Sequence, residues 1–166
     1  MSLTLAAVGA VAAALLQSTI APYLEIGGAR PDLVLVYAVI LTVVVGIDHG
    51  LAAALFGGLV IDSLAPRPLG STVFVLLVAT GCAAVVGQLP AAGRALSTVI
   101  AVLAASLLAP FVFVVLYGAL RGPVGVPSPL AVIIPDALYA TVLGGLLGPL
   151  AVYLHRRFFE RDRIDW

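Results

Sequence analysis

The chain has 166 residues, of which 63% are hydrophobic and only 10% are charged, and its mean hydropathy is +1.23. Such a chain has too little polar surface to cover a soluble core, so its composition predicts an integral membrane protein. Its eight basic residues are all arginine and balance eight acidic ones, which leaves no basic surface for nucleic acid. The single Cys82 lacks the spaced partners of a disulfide or a metal site.

The first predicted span is the apolar run Leu3 to Ala21. It is long enough to cross a bilayer and lacks the basic start of a cleaved signal peptide. Small residues recur in it at four-residue steps: Ala6, Ala10 and Ala14. In lipid such a ridge predicts close packing against another helix, from this chain or from a partner.

A polar loop from Pro22 to Arg30 leads to the second predicted span, Leu33 to Ile47. Pro31 suits the first turn of a helix, because the N–H that proline lacks would have no partner there. Asp32 follows at a position where the helix dipole favours a carboxylate. Capping of the helix is therefore one explanation of this residue.

The stretch Gly46 to Pro66 combines an apolar helix with a lone aspartate, and a short turn at Asp48 and His49 leads into it. Four-residue steps along the helix give a ridge of small residues that ends in a carboxylate: Gly50, Ala54, Gly58 and Asp62. In water an interior glycine costs a helix about 1 kcal/mol relative to alanine, whereas in lipid such a ridge lets two helix backbones approach closely. The sequence predicts that this helix packs against a neighbour.

Three further spans complete the prediction: Leu69 to Gln88, Ala95 to Leu120 with a kink at Pro110, and a last span from Leu130 or Asp136 to Leu154. Pro135 leaves the start of the last span open. The ridge pattern returns there in reverse order: Asp136, Ala140, Gly144 and Gly148. The predicted fold is an all-α membrane protein with about six transmembrane helices in one bundle, residues 1–155, and a short basic and aromatic tail, 156–166.

Arginine placement predicts the topology. The tail contains four arginines, whereas every other loop has at most one, so the tail is expected to be cytoplasmic. With six spans, both termini are then cytoplasmic, and three aspartates lie toward the outer face with three loop arginines: Asp32, Asp62 and Asp136, and Arg30, Arg67 and Arg121. Carboxylates in a membrane are expected to be capped, to be paired with those arginines or to face a polar cavity such as a ligand pocket or proton path.

No residue pattern predicts catalysis. His49 and His155 lie in a turn and at a helix end, and no Cys/His spacing for zinc or glycine-rich phosphate loop occurs. We therefore expect neither an enzyme nor a bound metal or cofactor.

Several residues of the first half form a recognisable pattern: Gln17, Pro31-Asp32-Leu33, Gly46, Gly50, Phe56-Gly57, Gly58-Leu59, Asp62 and Gly70. This pattern resembles the family of the rod-shape-determining protein MreD, although Phe56-Gly57 reverses the usual Gly-Phe order. The later spans match that family only in number, length and the basic end at His155-Arg156-Arg157.

The resemblance implies a bacterial inner-membrane protein that binds the bitopic protein MreC. It would act with MreB filaments, the glycosyltransferase RodA and its penicillin-binding transpeptidase in peptidoglycan synthesis during elongation, and its contribution would be binding. We expect the partner to lie against the ridge on the third span or the ridge on the sixth, unless these two ridges pack against each other within the chain: Gly50, Ala54 and Gly58, or Ala140, Gly144 and Gly148.

The MreD family is also similar in fold to the S-components of energy-coupling-factor transporters. The second hypothesis is therefore a substrate-binding S-component for a vitamin. S-components dock to their transporter through small-residue faces on the first helix, a pattern that Ala6, Ala10 and Ala14 match. A vitamin pocket needs converging aromatic and polar groups, for which the outer loops offer Tyr23, Glu25 and Arg30.

Overall fold

A computed structural model describes residues 2–20, 23, 25, 32–65, 68–88, 94–121 and 129–159 of the chain. These ranges contain six α-helices: α1 Leu3–Ile20, α2 Leu33–Val44, α3 Ile47–Leu64, α4 Ser71–Gly87, α5 Arg94–Arg121 and α6 Pro129–Phe159. Within them no strand occurs, so the prediction of an all-α chain is confirmed there.

Four of the helices have the length and apolar composition needed to cross a membrane. The qualifying segments are Leu3–Ile20, Ile47–Leu64, Leu96–Leu116 and Ile134–Tyr153. The helices α2 and α4 are apolar but shorter, with 12 and 17 residues. The structure is therefore that of an α-helical membrane protein, with four helices long enough to span a bilayer.

The short α2 lies at the centre of the bundle. It contacts each of the other five helices, whereas α1 contacts α2 and α3, and α6 contacts α2 and α5. Nine of the twelve α2 residues are buried. Because α2 is covered by protein, its near-continuous apolar sequence packs against neighbouring helices and not against lipid.

The turn between α2 and α3 differs from the prediction. The second helix ends at Val44 and not at Ile47, and Gly46 has a φ of 141°, which side chains other than glycine rarely adopt. The turn predicted at Asp48 and His49 is wrong, because both residues lie in the first turn of α3. The dipole of α3 favours the exposed carboxylate of Asp48 at that place.

The last helix begins at Pro129 and runs through Pro135 and Pro149 without a break. Residues 130–134 therefore belong to α6, which decides the alternative that the sequence left open. The same helix continues to Phe159, past the predicted start of the tail at residue 156, and residues 160–166 lie outside the described ranges. Pro110 lies within α5, and the kink expected there stays a prediction.

Candidate functional site

The Asp62 carboxylate joins the end of α3 to the start of α4. Its oxygens accept hydrogen bonds from the backbone N–H groups of Gly70 at 2.8 Å, Thr72 at 3.1 Å and Val73 at 3.4 Å. The side chain is only 2% exposed. Asp62 therefore acts as an N-terminal cap for a helix that is not its own.

This cap answers a requirement of the α4 sequence. The first N–H groups of any helix lack partners within the helix, and in hydrocarbon an unpaired N–H is costly. The residue in the N-cap position of α4, Gly70, has no side chain with which to cap, and its φ of 93° is left-handed. The carboxylate of Asp62 supplies the missing acceptor, and the helix dipole stabilises its negative charge.

The start of α2 is held by two further side-chain oxygens. Asp32 is its N-cap and accepts the N–H of Leu35 at 3.0 Å. Gln17 of α1 accepts the N–H of Val34 at 2.9 Å, so it ties α1 to the central helix. Sequence reasoning used Gln17 only as part of a family pattern and missed this role, although a lone amide in an apolar helix is itself a signal of interhelical hydrogen bonding.

The described contacts place the three aspartates at one end of the bundle. The pairs Thr42 with Gly50 and Val34 with Gly57 show that α2 and α3 are antiparallel, so Asp32 and Asp62 share an end. Phe74 near the start of α4 lines a groove with Val115 of α5, which brings the end of α5 to the same level. Because Gly144 meets Val102 and Gly148 meets Thr98, α5 and α6 are antiparallel, and this register puts half-buried Asp136 near the level of Phe111, which lines the same groove.

The ion pairs between these aspartates and the loop arginines stay a prediction. Arg30 and Arg67 lie outside the described residues, and for Arg121 only the helical backbone at the end of α5 is described. All the hydrogen bonds recorded for Asp62 come from backbone N–H groups. Among the described residues, these backbone N–H groups are the partners of the buried carboxylate.

The ridge on α3 packs inside the chain. A Cβ placed on Gly50 would overlap the Thr42 side chain of α2, and one placed on Gly58 would lie 2.8 Å from the Cα of Val73 in α4. Ala54 between them is fully buried. The sequence left open whether this ridge binds a partner or packs within the chain, and these contacts are those of packing within the chain.

The ridge on α6 is likewise filled by a neighbouring helix. Gly144 faces Val102 of α5, and Gly148 faces Thr98 of the same helix, with 3.1 Å between the built Cβ and the Thr98 Cγ2. Ala140 is 2% exposed. Neither of the ridges proposed as a partner groove is therefore open on this chain.

The ridge on α1 is covered by α3. Ala6, Ala10 and Ala14 are fully buried, and a Cβ on Gly57 of α3 would lie 3.5 Å from that of Ala10. The ridge that the S-component hypothesis assigns to docking is thus covered by another helix of this chain.

An apolar groove lies on the described part of the bundle, and no cluster of metal ligands occurs among the described residues. The groove has a volume of about 250 Å³, lies between α4 and α5, and is lined by Phe74, Phe111, Val112, Val115, Leu116 and Ala119. It offers no polar group that would orient a small molecule. Within the described ranges, no three His, Cys, Asp or Glu side chains come together as a metal site.

Comparison with known proteins finds no family model, no curated protein and no solved structure that matches this chain.

Proposed function

We propose that the chain is a non-enzymatic subunit of the bacterial cell-shape machinery. In this role it binds a bitopic protein resembling MreC and supports peptidoglycan synthesis together with MreB, RodA and a penicillin-binding transpeptidase. The chain needs no cofactor for this role.

One observation supports the proposal more than any other. Four residues of the pattern that resembles MreD hold helix ends or admit a neighbouring helix: Gln17 and Asp32 at the start of α2, Gly58 against α4, and Asp62 as the α4 cap. Their polar atoms are used to hold helix ends, which suits a binding scaffold.

The proposed location is the bacterial inner membrane, crossed six times, with both termini in the cytoplasm. Labelling of introduced cysteines tests this topology after Cys82 is replaced. An impermeant reagent applied to intact cells should label a cysteine at Ser128 and leave one at Asp162 unlabelled. The opposite pattern contradicts the orientation.

Copurification from native membranes tests the function. The chain, co-expressed with the MreC of the same genome, should retain MreC after mild detergent extraction. The ridges on α3 and α6 are filled from within, so we expect the partner to contact exposed apolar side chains such as Val8 and Leu15 of α1, which are 66% and 51% exposed. A Val8→Trp/Leu15→Trp variant that stays folded should lose MreC. Failure of the parent chain to retain MreC, or tight binding of a vitamin, contradicts the proposal.

A further inference from the structure

The lipid-facing surface of the bundle has two sides of different apolar length. At 1.5 Å per residue, the 17 residues of α4 and the 18 of α3 rise about 26 and 27 Å. The apolar segments of α5 and α6 contain 21 and 20 residues, or about 32 and 30 Å. Only the α5–α6 side matches the roughly 30 Å of an average hydrocarbon core.

Helices α3 and α4 expose apolar side chains on the outside of the bundle, so their length must match the surrounding lipid. On α3 the exposed apolar side chains include Leu55 at 44%, Phe56 at 43% and Leu59 at 50%. On α4, Phe74 is 50% exposed and Val85 is 69% exposed. The shorter α2 is covered by protein, so its length does not have to match the thickness of the bilayer.

Polar side chains bound one end of the short side. There Asp48 in the first turn of α3 and Gln88 at the end of α4 are exposed. At the other end Asp62 is buried, and the exposed side chains include the apolar Leu64 and Leu69. The apolar length of the short side is therefore limited at the end that carries Asp48 and Gln88.

We propose that the α3–α4 side of the bundle fits a bilayer thinner than average, and that the protein thins the membrane along that side. The inference rests on the proposed six-span topology, in which α4 crosses the membrane. A short apolar helix surface is accommodated by local thinning of the surrounding lipid or by tilting of the long helices. The partner of this surface is therefore a lipid bilayer of reduced thickness.

Reconstitution of the full chain into vesicles of increasing acyl length tests the inference. We would use dimyristoleoyl-, dioleoyl- and dierucoylphosphatidylcholine and measure the thermal unfolding midpoint in each. The midpoint should be highest in dimyristoleoylphosphatidylcholine and should fall by about 2–4 °C or more toward the longest lipid. A midpoint that is highest in dioleoyl- or dierucoylphosphatidylcholine overturns the proposal.

A double variant assigns the effect to the short side. Asp48→Leu/Gln88→Leu adds about one apolar turn at the shared end of α3 and α4, so the preferred lipid should shift to dioleoylphosphatidylcholine. The matched control Asp48→Asn/Gln88→Asn alters the same positions without adding apolar length and should keep the parent preference. An unshifted preference in the leucine variant refutes the assignment to α3 and α4.

The topology on which the inference rests is measured separately. Cysteines at Leu69 and Gln88, in a chain without Cys82, should label from opposite faces of the membrane. Labelling from one face would overturn both the crossing of α4 and the inference, and MreC copurification would still decide the proposed function.

Discussion

The α2–α4 region and the α5–α6 hairpin are held together in different ways. In the first region, side-chain oxygens of Gln17, Asp32 and Asp62 cap the starts of two short helices. In the second, long helices meet where Gly144 and Gly148 admit side chains of α5. A helix whose start is buried must find protein acceptors for its first N–H groups, whereas the contact between the two long helices depends chiefly on close packing. Removal of a side-chain oxygen acceptor should therefore lower the stability of the first region more than that of the second.

The largest expected effect comes from Asp62→Leu. The variant leaves the N–H groups of Gly70, Thr72 and Val73 without their acceptor, and at 1–3 kcal/mol for each buried donor the free energy of unfolding should fall by at least about 3 kcal/mol. Asp62→Asn keeps one acceptor oxygen and should lose less, about 1–2 kcal/mol. Denaturant unfolding in detergent measures both values.

The control for Asp62→Leu is Asp48→Leu, which removes an exposed carboxylate from the same helix. It should change the free energy of unfolding by less than about 1 kcal/mol, the contribution of a charge near a helix end. An equal decrease in the free energy of unfolding of the two variants would show that the buried Asp62 cap stabilises the protein no more than an exposed carboxylate does.

Gly58→Ala should have the next largest effect. The new Cβ would lie 2.8 Å from the backbone of Val73, so α3 and α4 must separate, at a cost of about 1–3 kcal/mol. Gly81→Ala is the matched control, because nothing lies within 4 Å of its Cβ position and alanine favours a helix by about 1 kcal/mol. Thermal unfolding of the pair should show changes of opposite sign, and a neutral Gly58→Ala would refute the close approach.

Gly144→Ala brings the same kind of change into the α5–α6 hairpin. Its Cβ would lie 2.9 Å from the methyl groups of Val102, which belong to a side chain and not to the backbone. Because a side chain adjusts more easily than a backbone, we expect a loss of about 1 kcal/mol, at the low end of the range for overpacking. A loss larger than that of Gly58→Ala, measured under the same conditions, would reverse the ranking.

Gln17→Leu should have the smallest effect. It leaves one buried N–H, that of Val34, without its acceptor, whereas Asp62→Leu affects three, so the free energy of unfolding should fall by about 1 kcal/mol, the low end for one unpaired donor. Ser18→Ala is its neighbouring control, since the Ser18 hydroxyl donates to the Ala14 carbonyl of its own helix. If the two variants unfold at the same denaturant concentration, Gln17 does not stabilise the attachment of α1.

The six helices and a capping role for Asp32 could be predicted from the sequence, because hydrophobic runs, proline positions and helix-end preferences depend on residues close together in the chain. The sequence did not predict the central position of α2, because a wholly apolar helix gives no periodicity that distinguishes lipid from protein around it. The misplaced turn has a local cause: Asp48 and His49 are polar, but Gly46 carries the unusual φ. The acceptor role of Gln17 depends on tertiary proximity across 17 residues.

The cap on α4 also bears on how the chain enters the membrane during synthesis. Asp62 precedes its hydrogen-bond donors by only 8 to 11 residues. The acceptor is therefore translated before its donors, and the start of α4 obtains its cap from the helix that immediately precedes it. The α3–α4 junction can thus close as a hairpin without any group from α5 or α6.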